Sequence, residues 1–125
     1  MLNNATAFSS LSTHKLLDTY LFYKDLLGFE VELVNDRFMH IYLPGGHPLV
    51  IYSRPDHQPQ ENTVLNFQIQ NIEAVVDQLT HQGIEFLQYD EPFYTDSKGI
   101  SWDDEGSHLA WFKDPGGNII ALIEH

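Results

Sequence analysis

Apolar residues along this chain repeat with two periods, and the periods alternate in the same order twice. Residues 5–12 read as a short strand. Over residues 15–27, Leu16, Leu17, Tyr20, Leu21, Tyr23 and Leu27 recur at helical spacing, which predicts an amphipathic helix closed by Gly28. Residues 29–34 alternate apolar and acidic side chains, the period of a half-buried strand. Asn35-Asp36 is a turn signal, residues 38–43 form a third strand, Pro44-Gly45-Gly46 turns the chain again, and residues 49–52 form a fourth.

After a polar linker, residues 53–62, the order returns. Residues 63–70 alternate strictly; 72–82 carry Ile72, Val75, Val76 and Leu79 on one helical face, ended by Gly83. Strands are predicted at 84–88, 109–113 and 119–123, with a long insertion before Leu109. The stretch PGGHPLVIY from Pro44 superposes on PGGNIIALI from Pro115 at an offset of 71. The two starts superpose at an offset of 56, which sets Phe8 on Val64 and Ser10 on Asn66. A duplicated strand–helix–three-strand unit follows, in two modules of about residues 5–54 and 63–125 within one domain over 1–125. Neither half buries a core alone, so the two sheets are expected to combine.

Composition narrows the function classes. Eighteen acidic residues against six basic ones give a net charge of −12. Such a field repels phosphate backbones, so nucleic acid and anionic membrane are expected not to be partners. No cysteine is present, which excludes disulfides, thiolate metal sites and cysteine nucleophiles. Residues 1–15 lack a basic start and a long apolar run, and no stretch approaches the ~20 apolar residues of a membrane span, so a cytoplasmic protein is expected.

Two motifs carry a resemblance. Phe22-Tyr23 with Leu27-Gly28-Phe29, followed by Trp111-Phe112-Lys113-Asp114-Pro115-Gly116-Gly117-Asn118, resembles the glyoxalase/bleomycin-resistance/extradiol-dioxygenase group, the vicinal oxygen chelate superfamily. The resemblance runs from Ala7 to Glu124. It implies an α+β fold of two paired βαβββ modules, whose curved mixed sheets enclose a cavity with the helices outside. Family members commonly dimerise, so a homodimer is expected. On physical grounds, Phe22 and Tyr23 are core residues, and Asp114 to Gly117 form a tight turn.

Metal-dependent members place one ligand on each of four strands. Carried over residue by residue, those positions are Phe8, Val50, Val64 and Ala121, none of which binds a metal. Glu124 lies three residues beyond Ala121, on the opposite face under strict alternation. His40 is the one histidine within a strand, and no pair of histidines has a chelating spacing. The expectation is no metal and no cofactor.

The same alternation points Phe8, Ser10, Val50, Tyr52, Asn66 and Gln68 inward, with Phe38, His40 and Tyr42 from one half and Leu109, Trp111 and Lys113 from the other. Aromatic panels with a few polar groups describe a ligand pocket; a solvated rim for Asn66 and Gln68 is the competing reading. The insertion 89–108 holds six acidic residues, Lys98, and the aromatics Tyr89, Phe93, Tyr94 and Trp102. It reads either as a lid for a cationic or aromatic ligand or as a solvated acidic loop. The ligand-binding set is therefore Phe8, His40, Tyr42, Tyr52, Asn66, Gln68, Trp102 and Trp111, holding a small organic molecule that is cationic or aromatic, in a cleft between the sheets. Catalytic residues are not assigned. The competing readings are a lyase, isomerase or dioxygenase with shifted metal ligands, and a metal-independent enzyme using His40 as base.

Overall fold

The structure is a computed structural model and describes residues 1–92 and 94–125; the Phe93 assignment lies outside the described residues. The chain divides into two compact units, Met1–Gln58 and Pro59–His125. None of the described helices is long and apolar enough to cross a membrane.

The first unit opens with a single 3₁₀ turn, Leu2–Asn4, and then runs β1 (Ser10–Thr13), α1 (Leu16–Leu21), β2 (Glu30–Leu33), β3 (Phe38–Tyr42) and β4 (Leu49–Ser53). Its four strands stand in the order β1-β4-β3-β2, with β1 and β4 parallel and the rest antiparallel. The predicted helix over 15–27 is real in extent but changes winding. After Leu21 it becomes a π turn over Phe22–Leu26, where the Leu27 N–H donates to the Phe22 carbonyl at 3.0 Å. That turn buries Phe22 and Tyr23, and Tyr23 is fully covered. The core reading of this motif holds.

The second unit runs β5 (Thr63–Gln68), α2 (Ile72–His81), β6 (Ile100–Trp102), β7 (His108–Lys113) and β8 (Ile119–Glu124), with sheet order β5-β8-β7-β6. The duplication is visible in the ladders. Ser10 pairs with Val50 in the first sheet, and Asn66 pairs with Ala121 in the second. His40 faces Val50 as Trp111 faces Ala121. These are the pairs the two sequence offsets superpose.

Four expectations need correction. The strand placed at 84–88 is reduced to a single bridge, Phe86 to Phe112. The same edge of β7 is then completed by β6, so two separated segments share one edge and the insertion leaves from within the edge strand. The segment 89–108 is thus not one loop: it contains β6, and Thr95 bridges back to Ser101. Residues 63–70 do not alternate strictly either, because the register shifts between Thr63 and Leu65, which leaves Val64 unpaired as a bulge. Finally, Phe8 precedes β1 and is 65% exposed. The ladder starts where the Val50 N–H donates to the Ser9 carbonyl. One step earlier on the partner strand stands Pro48, which has no N–H to donate, so the pairing stops short of Phe8.

Candidate functional site

Each sheet has one face covered by its helix and one open face. In the first unit the covered face is aliphatic: Met39, Ile41, Leu49 and Ile51 are at most 3% exposed. Pleating sends the alternate residues to the other side, where Ser10, Val50 and Tyr52 stand beside Phe38, His40 and Tyr42. Phe38, His40 and Tyr42 form a run of rings along β3, with centroids 5.6 Å and 6.2 Å apart. Tyr52 faces Phe38 from β4 and is 37% exposed. The neighbouring edge strand adds Glu32 opposite His40. The Tyr42 hydroxyl donates to its carboxylate at 2.7 Å, and that bond raises the Tyr42 pKa. Three of the eight proposed ligand-binding residues thus come together on this face: His40, Tyr42 and Tyr52.

The second sheet's face away from its helix is different in character: its centre is buried and its β5 edge exposed. Asn66 and Gln68 are exposed on β5, in accord with the rim reading. Beside them Trp111, Ile119 and Ala121 form a buried apolar cluster with Leu87, Leu109 and Ile123 packed on it. Trp111 is 8% exposed, and the Tyr89 ring meets it edge-on at 5.3 Å. It is a floor rather than a free stacking wall. A cavity of ≈ 590 Å³ opens beside this cluster, lined by Ile119, Leu87, Tyr89 and Lys113 among others.

Trp102 does not join this set. Its partner across the ladder is His108, and alternation puts both on the side of Ile100 and Ala110, away from Trp111. The Trp102 and His108 rings meet edge-to-face at 3.8 Å. A cavity of ≈ 780 Å³ lies here, at the first turn of α2. The polar groups around it largely satisfy one another. Asn71 precedes α2 in a left-handed conformation (φ 57°) and its side chain does not cap the helix. Glu124 takes over, accepting from the Asn71 N–H at 2.6 Å and the Ile72 N–H at 3.1 Å. His108 Nδ1 stands 3.5 Å from the same carboxylate. Glu124 is therefore on the face opposite Ala121, as alternation requires, and its role is to close a helix end.

The helix N–H groups of Ile72 and Asn71, with a smaller contribution from His108, hold the Glu124 carboxyl below its ordinary value of 4.5. A depressed carboxyl stabilises the fold above its unfolded pKa, and this contribution is lost as pH falls through the folded value. Wild type is therefore expected to melt higher than Glu124→Gln at pH 7, with the gap closing below about pH 4.5. Thermal melts of both proteins at pH 7 and pH 3 measure it; a gap that persists in acid contradicts the assignment.

The model of the Glyoxalase/Bleomycin resistance protein/Dioxygenase superfamily matches residues 11–122. The chain belongs to this superfamily. No curated protein matches it. Among solved structures, it is similar to a glyoxalase family protein from Enterococcus faecalis, at 26% identity and a TM-score of 0.70, over 99% of this chain and 100% of that one. A lactoylglutathione lyase from Agrobacterium tumefaciens shares the fold at 16% identity and a TM-score of 0.71, over 97% and 93%. A superfamily member from Sphaerobacter thermophilus does so at 21% and 0.70, over 96% and 98%.

Superfamily membership raises the question of a metal, and the donor set answers for this chain. At matching levels of the two ladders stand Ser10, Val50, Asn66 and Ala121: a hydroxyl, an amide and two hydrocarbons. Among the described residues no three histidine, aspartate or glutamate side chains converge on a point that could hold an ion. These residues do not fit a resident metal.

Proposed function

We propose that this superfamily member binds a small organic molecule on the sheet faces turned away from its helices, without a resident metal. One observation supports the reading above the rest: the first sheet buries aliphatic side chains on one face and leaves the run Phe38–His40–Tyr42, with Tyr52, half-exposed on the other. Rings are costly to leave in water, and a file of them with an imidazole and a phenol as orienting groups suits a flat ligand. The rings fit an aromatic ligand, and His40 and Tyr42 supply the polar contacts.

A thermal-shift screen of cationic and neutral aromatic compounds tests it. At least one compound is expected to raise the melting temperature of wild type. His40→Ala and Tyr42→Ala are each expected to weaken its binding about three- to tenfold, the size of one ring contact. Both side chains are partly exposed, so the variants should melt close to wild type. A screen without a single stabilising compound, or binding indifferent to both substitutions, defeats the proposal. Near-stoichiometric metal after dialysis against a chelator defeats its metal-free part. Turnover lost in His40→Ala with binding intact replaces it by the enzyme reading, with His40 as base.

A further inference from the structure

We propose that the open face of the second sheet takes the anionic end of an amphipathic ligand, with Lys113 as counter-ion. The inference deepens the binding reading above and rests on it. Lys113 ends β7 on the same side as Trp111 and lines the ≈ 590 Å³ cavity together with Ile119. Its ammonium makes no ion pair and no hydrogen bond among the described residues. Lys15 and Arg37 also make no ion pair among the described residues, but neither lines this cavity. Lys98 is held between Glu73 and Asp77, each at 3.0 Å. Arg54 is held by Asp56 at 3.0 Å, and Lys24 lies over the Tyr20 ring at 5.5 Å. Glu61 lines the same cavity as Lys113, yet the two do not pair. An exposed cation without an ion pair thus stands at the edge of a cavity.

The surroundings supply the other half of the ligand. The apolar part of the lining is Leu87, Tyr89 and Ile119, which offers contact to a hydrocarbon or aromatic body. The wall is fixed rather than loose: a Cβ on Gly117 would lie 3.0 Å from the Pro59 ring, so the linker sits directly on the turn after Lys113. Remote charge does not decide the outcome, because beyond a Debye length of about 8 Å at physiological salt the negative field is screened and the local lysine dominates. A carboxylate or sulfonate on a flat apolar body matches this arrangement.

Two dyes with one body separate the terms. 8-Anilinonaphthalene-1-sulfonate and N-phenyl-1-naphthylamine differ by the sulfonate alone, and both fluoresce on entering an apolar site. Their dissociation constants are measured on the full chain for wild type, Lys113→Met and, as a control on the other unit, Lys15→Met. Lys113→Met keeps the aliphatic stem and removes the charge. It is expected to weaken the sulfonate dye about tenfold relative to the neutral one, with Lys15→Met leaving the ratio unchanged. A ratio that moves less than twofold in Lys113→Met, or moves equally in Lys15→Met, overturns the Lys113 assignment while the binding reading stands. If neither dye binds wild type, this inference falls, and the binding reading is decided by the thermal-shift screen alone.

Discussion

Phe112→Ala is expected to cost about 3–5 kcal/mol, the largest effect of any single truncation in the second unit. Phe112 is fully buried on β7, between the β8 ladder and the Phe86 bridge. Its ring meets Phe86 edge-to-face at 5.5 Å. Deleting it removes the transfer energy of the ring and leaves a cavity that a strand hydrogen-bonded along β8 cannot collapse to fill. It also loosens the one bridge that holds the residue-86 segment to the sheet. With a total stability on the order of 5–15 kcal/mol for a domain, that loss leaves little margin. Urea unfolding followed by circular dichroism measures it, and Phe112→Leu is expected to recover most of the difference. A loss below about 1 kcal/mol in the alanine variant contradicts the packing described.

Asp114→Ala comes second, at about 2–4 kcal/mol. Asp114 is 4% exposed. Its carboxylate accepts from the Gly116 N–H at 3.0 Å, the Asn118 N–H at 2.9 Å and the Asn118 amide at 3.1 Å. Removing it strands two backbone donors in a buried turn, which costs more than the bonds themselves contribute. The same turn carries Gly117 at φ 83° and borders the cavity at Lys113. Asp114→Ala should therefore lose the sulfonate dye along with stability, whereas Asp114→Asn, which keeps one acceptor oxygen, should lose less of both. Urea midpoints and dye titrations on the two variants test this; equal losses would point to charge rather than acceptor geometry. The first module's equivalent turn has Leu43 in place of the aspartate, so the repeat preserves the glycines of the turn but not its carboxylate brace.

Much of the first sheet could be read in advance because period-two alternation is local information. Phe38, His40, Tyr42 and Tyr52 share a face for the same reason that Met39, Ile41 and Ile51 share the other: successive side chains on a strand point apart. Trp102 was placed with the ligand set because its neighbours are acidic and aromatic. Its face depends on pairing Ser101 with Leu109 and Trp102 with His108, and a shift of one residue would reverse it. Phe8 shows the opposite case. The limit on its strand is set by Pro48, 40 residues away in sequence but next in the ladder.

By itself the sequence determined the two modules and the alternation of their apolar faces, since helix and strand periods and the PGG turns are written in adjacent residues. It also determined the −12 charge and the absence of cysteine. Only the tertiary structure decided that β6 and the Phe86 segment share one edge of β7. It likewise decided that Glu124 closes the end of α2 and that Lys113 makes no ion pair among the described residues. Each of these depends on which distant backbone or charge comes within a few ångströms. Long-range pairing of that kind is fixed by the packing of whole elements, and no local period in the chain encodes it.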